Sequence, residues 1–189
     1  MESTPPELAE KVVLDRDDFR RTLVRIAHEI VEKNAGSDGL ALVGIHTRGA
    51  VIARRLHVLV GEMSGGEVPL GDIDISFYRD DVADHDAPVV HSSHLDFDLG
   101  SRTVVLVDDV LFTGRTARAG IEALFDYGRP ERVQFAAIVD RGHRELPIRP
   151  DYVGKNIPTS RSERVYVRVE ESDGVDEVAI TGSDPVEER

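Results

Sequence analysis

The chain contains no cysteine and no tryptophan, and aromatic residues make up only 5% of its 189 residues. Without cysteine it can form neither a disulfide framework nor a thiolate metal site. No apolar run approaches the roughly 20 residues that a membrane-spanning helix needs. The first residues, MESTPPELAEKVVLD, lack the basic start and apolar core of a signal peptide. These absences predict a soluble, cytoplasmic protein.

Positive charge is also scarce, because the chain has 36 acidic residues and only 23 basic ones, which gives a net charge of −13. This balance argues against broad, nonspecific binding to nucleic acid, which needs a positive footprint, but it leaves room for a local basic patch. The length and the 40% hydrophobic content favour one domain. We expect a single domain over residues 12–181, with flexible polar ends at 1–11 and 182–189.

Hydrophobic periodicity predicts an α/β protein. Phe19, Leu23, Ile26 and Ile30 recur at helical spacing within a helix over 15–36. Nearly continuous apolar runs predict buried strands, and helical patterns lie between them; the strands are 40–46, 103–109 and 132–140, and the helices are 48–60 and 115–128. This alternation is typical of a parallel sheet core flanked by helices.

Shorter elements are predicted around this core. Alternating polarity over 72–78 predicts a strand with one wet face, and 91–97 could return beside it as a hairpin arm after a polar loop at 79–90. Short strands are expected at about 164–170 and 175–180.

Ligands of parallel α/β sheets bind at the carboxyl ends of the strands. In this chain that rule selects residues 46–49, 108–116 and 140–142. The 113–116 loop, Thr-Gly-Arg-Thr, enters a helix, where exposed amides and the positive helix end favour an anion such as a phosphate monoester. The G-x-x-x-x-G-K-[ST] and G-x-G-x-x-G patterns are absent, so neither a P-loop nor a dinucleotide fingerprint is present.

Asp108 and Asp109, the acid pair, precede this loop. Two acids would repel a phosphate unless they contact another part of the same molecule. Carboxylates accept hydrogen bonds from sugar hydroxyls and can hold Mg²⁺ directly or through water. The alternative is a solvated pair with a helix cap, which the apolar run before it and the loop after it disfavour. The segment therefore predicts a ribose 5-phosphate site.

The stretch VVLVDDVLFTGRT resembles the phosphoribosyl pyrophosphate (PRPP) motif of type I phosphoribosyltransferases. The resemblance implies that fold, with a small hood and a β-hairpin lid, and Mg²⁺ bound with PRPP. It assigns the ribose hydroxyls to the acid pair and the 5-phosphate to Thr113, Gly114, Arg115 and Thr116. Asp108 and Asp109 are then catalytic as well as substrate-binding residues, and also the candidate metal ligands.

The segment His46-Thr47-Arg48-Gly49 matches the pyrophosphate loop of the same family. The resemblance implies that Thr47, Arg48 and Gly49 bind PRPP and that Arg48 is catalytic; a surface cation is the alternative for Arg48. Tyr78, Arg79 and Asp80 are candidates for the lid, with a solvated turn as the alternative.

Further segments, including FYRDD and DRGHRELPIR, resemble a narrower family of pyrimidine-operon regulators that are also uracil phosphoribosyltransferases. The similarity covers roughly residues 12 to 180. It implies conversion of uracil and PRPP to UMP and pyrophosphate, binding of the pyrimidine-operon mRNA leader in response to UMP, and a homodimer or larger homo-oligomer.

The base pocket is expected at Asp140, Arg141, Ile157 and Arg161. Purine-specific relatives carry a lysine where Asp140 stands, which disfavours hypoxanthine or guanine. His143 is better interpreted as a surface histidine than as a general base. The other histidines show no short metal-binding spacing such as H-E-x-x-H.

One face of the first helix carries Arg21, Arg25, His28 and Glu32, with Lys33 close by. The resemblance implies RNA contacts from Arg25, His28 and Lys33, and we add Arg21 to this candidate RNA face. Val24 stands where threonine is common in the family. A solvated helix face is the alternative.

Three hypotheses follow: an enzyme that also regulates through RNA, a non-catalytic nucleotide-sensing regulator, and a salvage enzyme for another base with no RNA role. Product formation separates the first from the second, and a panel of bases separates the first from the third.

Overall fold

The structure is a computed structural model that describes residues 10–78 and 92–182. Most of the predicted flexible ends, and all of the predicted polar loop at 79–90, lie outside these ranges. The elements in chain order are β1 (Glu10–Leu14), α1 (Arg16–Lys33), β2 (Leu40–Ile45), α2 (Arg48–Ser64), β3 (Leu70–Ile73), β4 (Thr103–Leu111), α3 (Arg115–Tyr127), β5 (Arg132–Asp140), β6 (Tyr152–Asn156), β7 (Arg164–Arg168), α4 (Glu170–Asp173) and β8 (Glu177–Thr181). Among these helices, none is long and apolar enough to cross a membrane.

The central sheet has five strands in the order β3-β2-β4-β5-β6, and all neighbouring strands are parallel. The three buried strands predicted from sequence are confirmed as β2, β4 and β5. The chain adds β3 on one side of β2 and then β4 on the other. The order therefore reverses between β2 and β4, which is where open α/β sheets bind ligands.

Both faces of this sheet are covered. Val105 and Val107 of β4 belong to the apolar cluster that contains α1 and α2, and Val104 and Leu106 belong to the cluster that contains α3. Burial on both faces explains why the strand sequences are continuous apolar runs rather than alternating ones. At the start of α1, Asp15 caps the helix by accepting the amide of Asp18 at 2.8 Å.

A second, antiparallel sheet has the order β1-β8-β7 and, with α4, forms the hood. Glu10 and Lys11 fall within the flexible N-terminal segment predicted from sequence, but they belong to β1 and pair with Thr181 and Ile180 of β8. Val167 and Val178 of the hood are buried in the same cluster as α1 and α2, so the hood shares the core.

The prediction of a strand at 72–78 is wrong in its bounds. β3 is Leu70–Ile73, and the chain turns at 76–78. Asp74 causes this change, because its Oδ1 accepts hydrogen bonds from the amide and the hydroxyl of Ser76 at 2.7 and 2.5 Å, which closes a local turn. In the described part of the expected return arm, pairing with β3 is a single bridge between Asp72 and His94.

Candidate active site

Two loops meet where the strand order reverses, and glycines bring them together. A Cβ atom on Gly49 would lie 2.5 Å from the carbonyl oxygen of Val107 and 3.1 Å from Cα of Asp108. A Cβ on Gly44 would lie 2.4 Å from Cα of Ala50. Only glycine fits such close backbone approaches. The 46–49 loop is therefore packed directly against the acid pair, as the sequence predicts for two loops of one site.

The acid pair lies within β4, which continues to Leu111 instead of ending at residue 109. Pairing with β2 stops at Val107, whereas pairing with β5 continues to Leu111. On the β2 side the acid pair thus lies just beyond the last paired residues, Gly44 and Val107. Asp108 is buried and its Oδ1 accepts the amide of Asp109 at 2.9 Å; Asp109 is half-buried and its Oδ1 accepts the amide of Val110 at 2.7 Å.

The 113–116 loop leads into α3 through Gly114, whose φ of +93° is in the left-handed region. Gly114 is the N-cap residue of α3 and has no side chain with which to cap the helix. The hydroxyl of Thr113 accepts the amide of Arg115 at 3.3 Å. Apart from this contact, the first turn of α3 has the helix-start geometry that can bind an anion.

The segment after β5 holds this loop in place. The amides of Glu145 and Leu146 donate to the carbonyl of Thr113 at 2.9 and 3.1 Å, and Arg144 donates to the carbonyl of Phe112 at 2.8 Å. The side chain of Arg115 donates to Glu145 at 2.9 Å. A loop fixed in this way loses little conformational freedom when a ligand binds.

Arg48 is placed at the start of α2, next to the acid pair, but its guanidinium is engaged by the hood. Its Nη2 and Nε donate to the two carboxylate oxygens of Asp173 at 2.7 and 3.2 Å. This hydrogen-bonded pair raises the pKa of Arg48 and lowers the pKa of Asp173. The sequence predicted that Arg48 faces a diphosphate and did not predict its carboxylate partner.

The predicted base pocket lies after β5. Asp140 accepts hydrogen bonds from Arg144 Nη2 at 2.5 Å and from the amide of Gly142 at 3.0 Å. Its carbonyl accepts the amide of Ile157 at 2.8 Å, and the side chain of Ile157 is buried. The structure therefore brings Asp140 and Ile157 together, and hydrogen bonds from the turn after β5 hold the Asp140 carboxylate.

Arg141 has a different environment from the one expected for a base-reading group. It is only 7% exposed, and it donates to the hydroxyl of Thr159 at 3.1 Å and to the carbonyls of Ser160 and Glu163 at 2.9 and 2.8 Å. Its guanidinium lies 4.1 Å from the ring centroid of Phe112, and burial lowers its pKa. These contacts make Arg141 an anchor for the 159–163 segment.

His143 and Arg161 lie at the edge of the same region. His143 is half-buried rather than a surface residue, and its Nε2 lies 2.5 Å from the carbonyl of Thr159. The Arg161 side chain is 69% exposed and lies 4.0 Å from Glu145. The structure therefore brings Arg161 near the 113–116 loop without fixing it there.

The lid residues are only partly described. Arg79 and Asp80 lie outside the described residues, and Tyr78 is in the turn after β3. The hydroxyl of Tyr78 donates to Asp126 of α3, and this hydrogen bond raises the pKa of Tyr78 to about 12.

The cations of the candidate RNA face lie on the outer side of α1, as predicted, but most are paired with acids. Arg21 pairs with Asp18 at 2.5 Å, Arg25 with Glu29 at 2.9 Å, and Lys33 with Asp151 at 2.6 Å, whereas His28 is exposed. Arg25 also donates to the carbonyls of Val153 and Gly154 in β6. Part of its role is therefore to join α1 to the edge strand.

Sequence reasoning missed Asp173, Arg144 and Glu145. Asp173 and Glu145 bind Arg48 and Arg115, which are far away in the chain, and Arg144 binds the distant carbonyl of Phe112 as well as the nearby Asp140, so local spacing gave little signal for them. The basic and acidic run RGHRE, directly after a buried strand at the ligand-binding edge, is the one local cue to the segment that holds the 113–116 loop.

The acid pair suits Mg²⁺ better than a softer metal, because its donors are carboxylate oxygens only. Asp108 is buried and already accepts the amide of Asp109, which favours contact with the ion through water rather than a complete protein cage.

Comparison with known proteins gives one consistent answer. Residues 13–171 match the phosphoribosyl transferase domain. The bifunctional protein PyrR of a Roseiflexus species is 57% identical over 168 residues, which is 88% of this chain and 92% of the relative. PyrR of Thermus thermophilus is 57% identical over 169 residues, covering 89% of this chain and 93% of the relative.

Solved structures agree on the fold. A hypoxanthine phosphoribosyltransferase of Trypanosoma cruzi superposes with a TM-score of 0.70 at 16% identity, covering 93% of this chain and 98% of the other. A hypoxanthine-guanine phosphoribosyltransferase of Bacillus anthracis gives a TM-score of 0.68 at 15% identity, covering 93% and 99%. The chain therefore belongs to the phosphoribosyltransferase family and, within it, to the bifunctional PyrR proteins.

Proposed function

We propose that the protein transfers a phosphoribosyl group from PRPP to uracil, giving UMP and pyrophosphate, and that it also regulates pyrimidine genes by binding their mRNA leader. One observation carries the enzymatic part. The acid pair, the amide-rich 113–116 loop and the 46–49 loop all lie at the reversal point of the parallel sheet.

Each part of PRPP has a matching part of this edge. The 5-phosphate binds to the amides of the 113–116 loop, which the Glu145 and Leu146 amides hold in shape. The ribose 2- and 3-hydroxyls donate to Asp108 and Asp109. The diphosphate binds against Thr47, Arg48 and Gly49, close to the acid pair. Arg48 remains positively charged there, since its pKa is raised.

Catalysis then depends on charge and alignment. The bond from ribose C1 to the diphosphate oxygen breaks as uracil N1 forms its bond to C1, and the N1 proton passes to solvent. The ribosyl group carries positive charge in between, which the acid pair stabilises, and Arg48 stabilises the departing diphosphate. Mg²⁺ bound with PRPP neutralises part of the diphosphate charge.

The base is held after β5. The Asp140 carboxylate already accepts hydrogen bonds from Arg144 and Gly142, and the Arg141 guanidinium already donates to the 159–163 segment. Backbone groups near Ile157 are therefore the remaining candidates to recognise the edge of uracil. A small, uncharged base suits such a site. Position 140 is an aspartate, so the lysine ammonium group that purine-specific relatives have there is missing.

The regulatory part rests on the family and on α1. The exposed His28, together with Arg21, Arg25 and Lys33, would contact an RNA loop, whose unstacked bases can be recognised by a small patch. Because acids pair with three of these residues, RNA must compete for them or add contacts beside them. A cytoplasmic homo-oligomer would bring such faces from several chains together.

A panel of bases with PRPP and Mg²⁺ tests the enzymatic proposal. We expect UMP formation from uracil, with kcat/KM at least about 100-fold above that for hypoxanthine or guanine. Turnover of hypoxanthine without turnover of uracil would favour the salvage alternative. Binding of UMP without product from any base would favour a nucleotide sensor.

A further inference from the structure

Three side chains from separate segments converge beside the 46–49 loop. Nε2 of His46 lies 2.5 Å from Oδ1 of Asp72, and Nδ1 of His94 lies 3.1 Å from the same oxygen. One ligand atom from each of the three residues lies within 4.8 Å of the others. The cluster is at the end of β2 and β3, at the edge of the sheet rather than between β2 and β4.

Backbone hydrogen bonds hold the three residues in position without help from a ligand. The amide of His46 donates to the carbonyl of Ile73 at 2.9 Å. Asp72 and His94 exchange a pair of amide-to-carbonyl bonds at 3.0 and 2.8 Å, which form the bridge between β3 and the returning chain. The arrangement of the side chains is therefore built into the sheet, and a ligand would not have to order it.

The donor set distinguishes this cluster from the acid pair. Two imidazole nitrogens and one carboxylate oxygen suit Zn²⁺ and related transition metals, whereas Mg²⁺ prefers oxygen ligands and retains water. Three protein ligands around Zn²⁺ leave a fourth position for water or another oxygen ligand.

The two distances to Asp72 are close to those of a bound site. In a tetrahedral zinc site with bonds of about 2.0–2.1 Å, neighbouring ligand atoms are about 3.3 Å apart. The two contacts to Asp72 need to lengthen only slightly from 2.5 and 3.1 Å. The side chains of His46 and Asp72 are 18% and 21% exposed and that of His94 is 63% exposed, so a cation can enter from the His94 side.

We propose that His46, Asp72 and His94 form a binding site for one transition-metal cation per chain, of the Zn²⁺ type. The cation replaces the hydrogen bonds that Asp72 makes to the two imidazoles. Because His46 is joined directly to Thr47, the bound cation fixes the first residue of the 46–49 loop. This site is separate from the acid pair, and the proposal does not depend on the reaction proposed above.

Metal binding by the full chain, free of any histidine tag, tests this directly. Calorimetric titration of chelator-treated protein with Zn²⁺ should give one site per chain, and Co²⁺ should develop the visible absorption of a low-symmetry nitrogen and oxygen site. His94→Gln should weaken Zn²⁺ binding at least about 100-fold, since even changes to groups behind the ligands cost 10- to 100-fold. A large excess of Mg²⁺ should not displace the metal.

Two further variants complete the experiment. His57→Gln is the matched control, because His57 is a half-buried histidine on α2 that contacts the carbonyl of Val68 at 2.8 Å, and its Zn²⁺ affinity should equal that of the wild type. Asp72→Asn keeps the side-chain shape and should also weaken Zn²⁺ binding. It therefore provides the test if His94→Gln does not fold. Absence of Zn²⁺ binding, or equal binding by the wild type and the folded variants at His94 and Asp72, would overturn the proposal.

Discussion

Asp108 and Asp109 are neighbours in the chain but have different surroundings. Asp108 is buried, whereas Asp109 is half-buried at the place where β4 extends past β2. Asp109 is therefore the better position for a substitution that tests ligand binding, because a change of charge there disturbs the core least.

Asp109→Asn should lower kcat/KM for PRPP by about 10- to 100-fold, which corresponds to the loss of one charged hydrogen bond of about 1.5–3 kcal/mol. The fold should persist, since the asparagine oxygen can still accept the amide of Val110. Steady-state kinetics and urea unfolding measure both effects.

The matched control for this substitution is Asp38→Asn. Asp38 is exposed and precedes β2, at the opposite end of the strand from the 46–49 loop. It should leave kcat/KM unchanged. Wild-type kinetics in Asp109→Asn, at PRPP concentrations below KM, would contradict the role assigned to the acid pair.

Residues could be predicted from sequence where the site is contiguous in the chain. The acid pair and the 113–116 loop are separated by only a few residues, so their types and order indicate the ligand. Arg48 and Arg141 were harder to interpret, because their partners, Asp173 and Thr159, come from segments that only the folded chain brings near.

At the scale of elements, ion pairs join the hood to the helices. Arg55 of α2 binds Glu171 and Asp176 with distances of 2.5 and 2.8 Å, and its side chain is 22% exposed. Arg16 of α1 binds Glu170 at 2.5 Å, but these side chains are 71% and 52% exposed. Because burial weakens solvent screening, Arg55 should contribute more to the stability of the hood than Arg16 does.

Arg55→Met should lower the free energy of unfolding by about 1–3 kcal/mol, because it leaves the half-buried carboxylate of Asp176 without this partner. Arg16→Met, the exposed counterpart, should change it by no more than about 0.5 kcal/mol. Urea unfolding at neutral pH compares the two variants, and equal losses would contradict the assigned difference in burial.

Acid unfolding gives a second readout for the same pair of variants. The hydrogen bond from Arg55 lowers the pKa of Glu171. Burial alone would raise the pKa of Asp176, but the hydrogen bonds from Arg55 and from the amide of Glu170, together with the charge of Arg55, lower it. A carboxylate whose pKa is lowered in the folded protein stabilises the fold at pH values above its ordinary pKa, which is 4.5 for Glu171 and 3.8 for Asp176. This contribution is lost as the pH falls through the lowered pKa. Stability should therefore fall less steeply below about pH 4 in Arg55→Met than in the wild type.

Elements were predictable where burial on both faces leaves a continuous apolar run, as in β2, β4 and β5. β1 and β6 were not predicted, because β1 pairs with a strand from the opposite end of the chain and β6 is a short edge strand with two polar residues. β3 ended early because the side chain of Asp74 closes a turn that the alternating pattern does not reveal.

At the scale of the whole molecule, the net charge of −13 limits how RNA can bind. The candidate RNA face offers at most Arg21, Arg25, His28 and Lys33, and three of these have acidic partners. Neutralising one phosphate of single-stranded RNA contributes about −0.7 to the slope of log affinity against log salt. Four side chains that each neutralise one phosphate would therefore give a slope of about −3 per chain, and fewer such contacts would give a shallower one.

We expect binding of the pyrimidine-operon leader hairpin, with UMP present, to show a slope no steeper than about −3 per chain. An unrelated hairpin of the same length should bind more weakly. Filter binding over a series of salt concentrations measures both. Equal affinity for the two hairpins would contradict the regulatory proposal, and a steeper slope would place the RNA on a different surface.

In the proposed complex a sugar phosphate lies across the carboxyl edge of the sheet. A crystal structure with UMP bound would show where the nucleotide binds. We expect the phosphate against the amides of the 113–116 loop and both ribose hydroxyls within hydrogen-bond distance of Asp108 or Asp109. A nucleotide bound elsewhere, or one whose phosphate and ribose positions are exchanged, would contradict it.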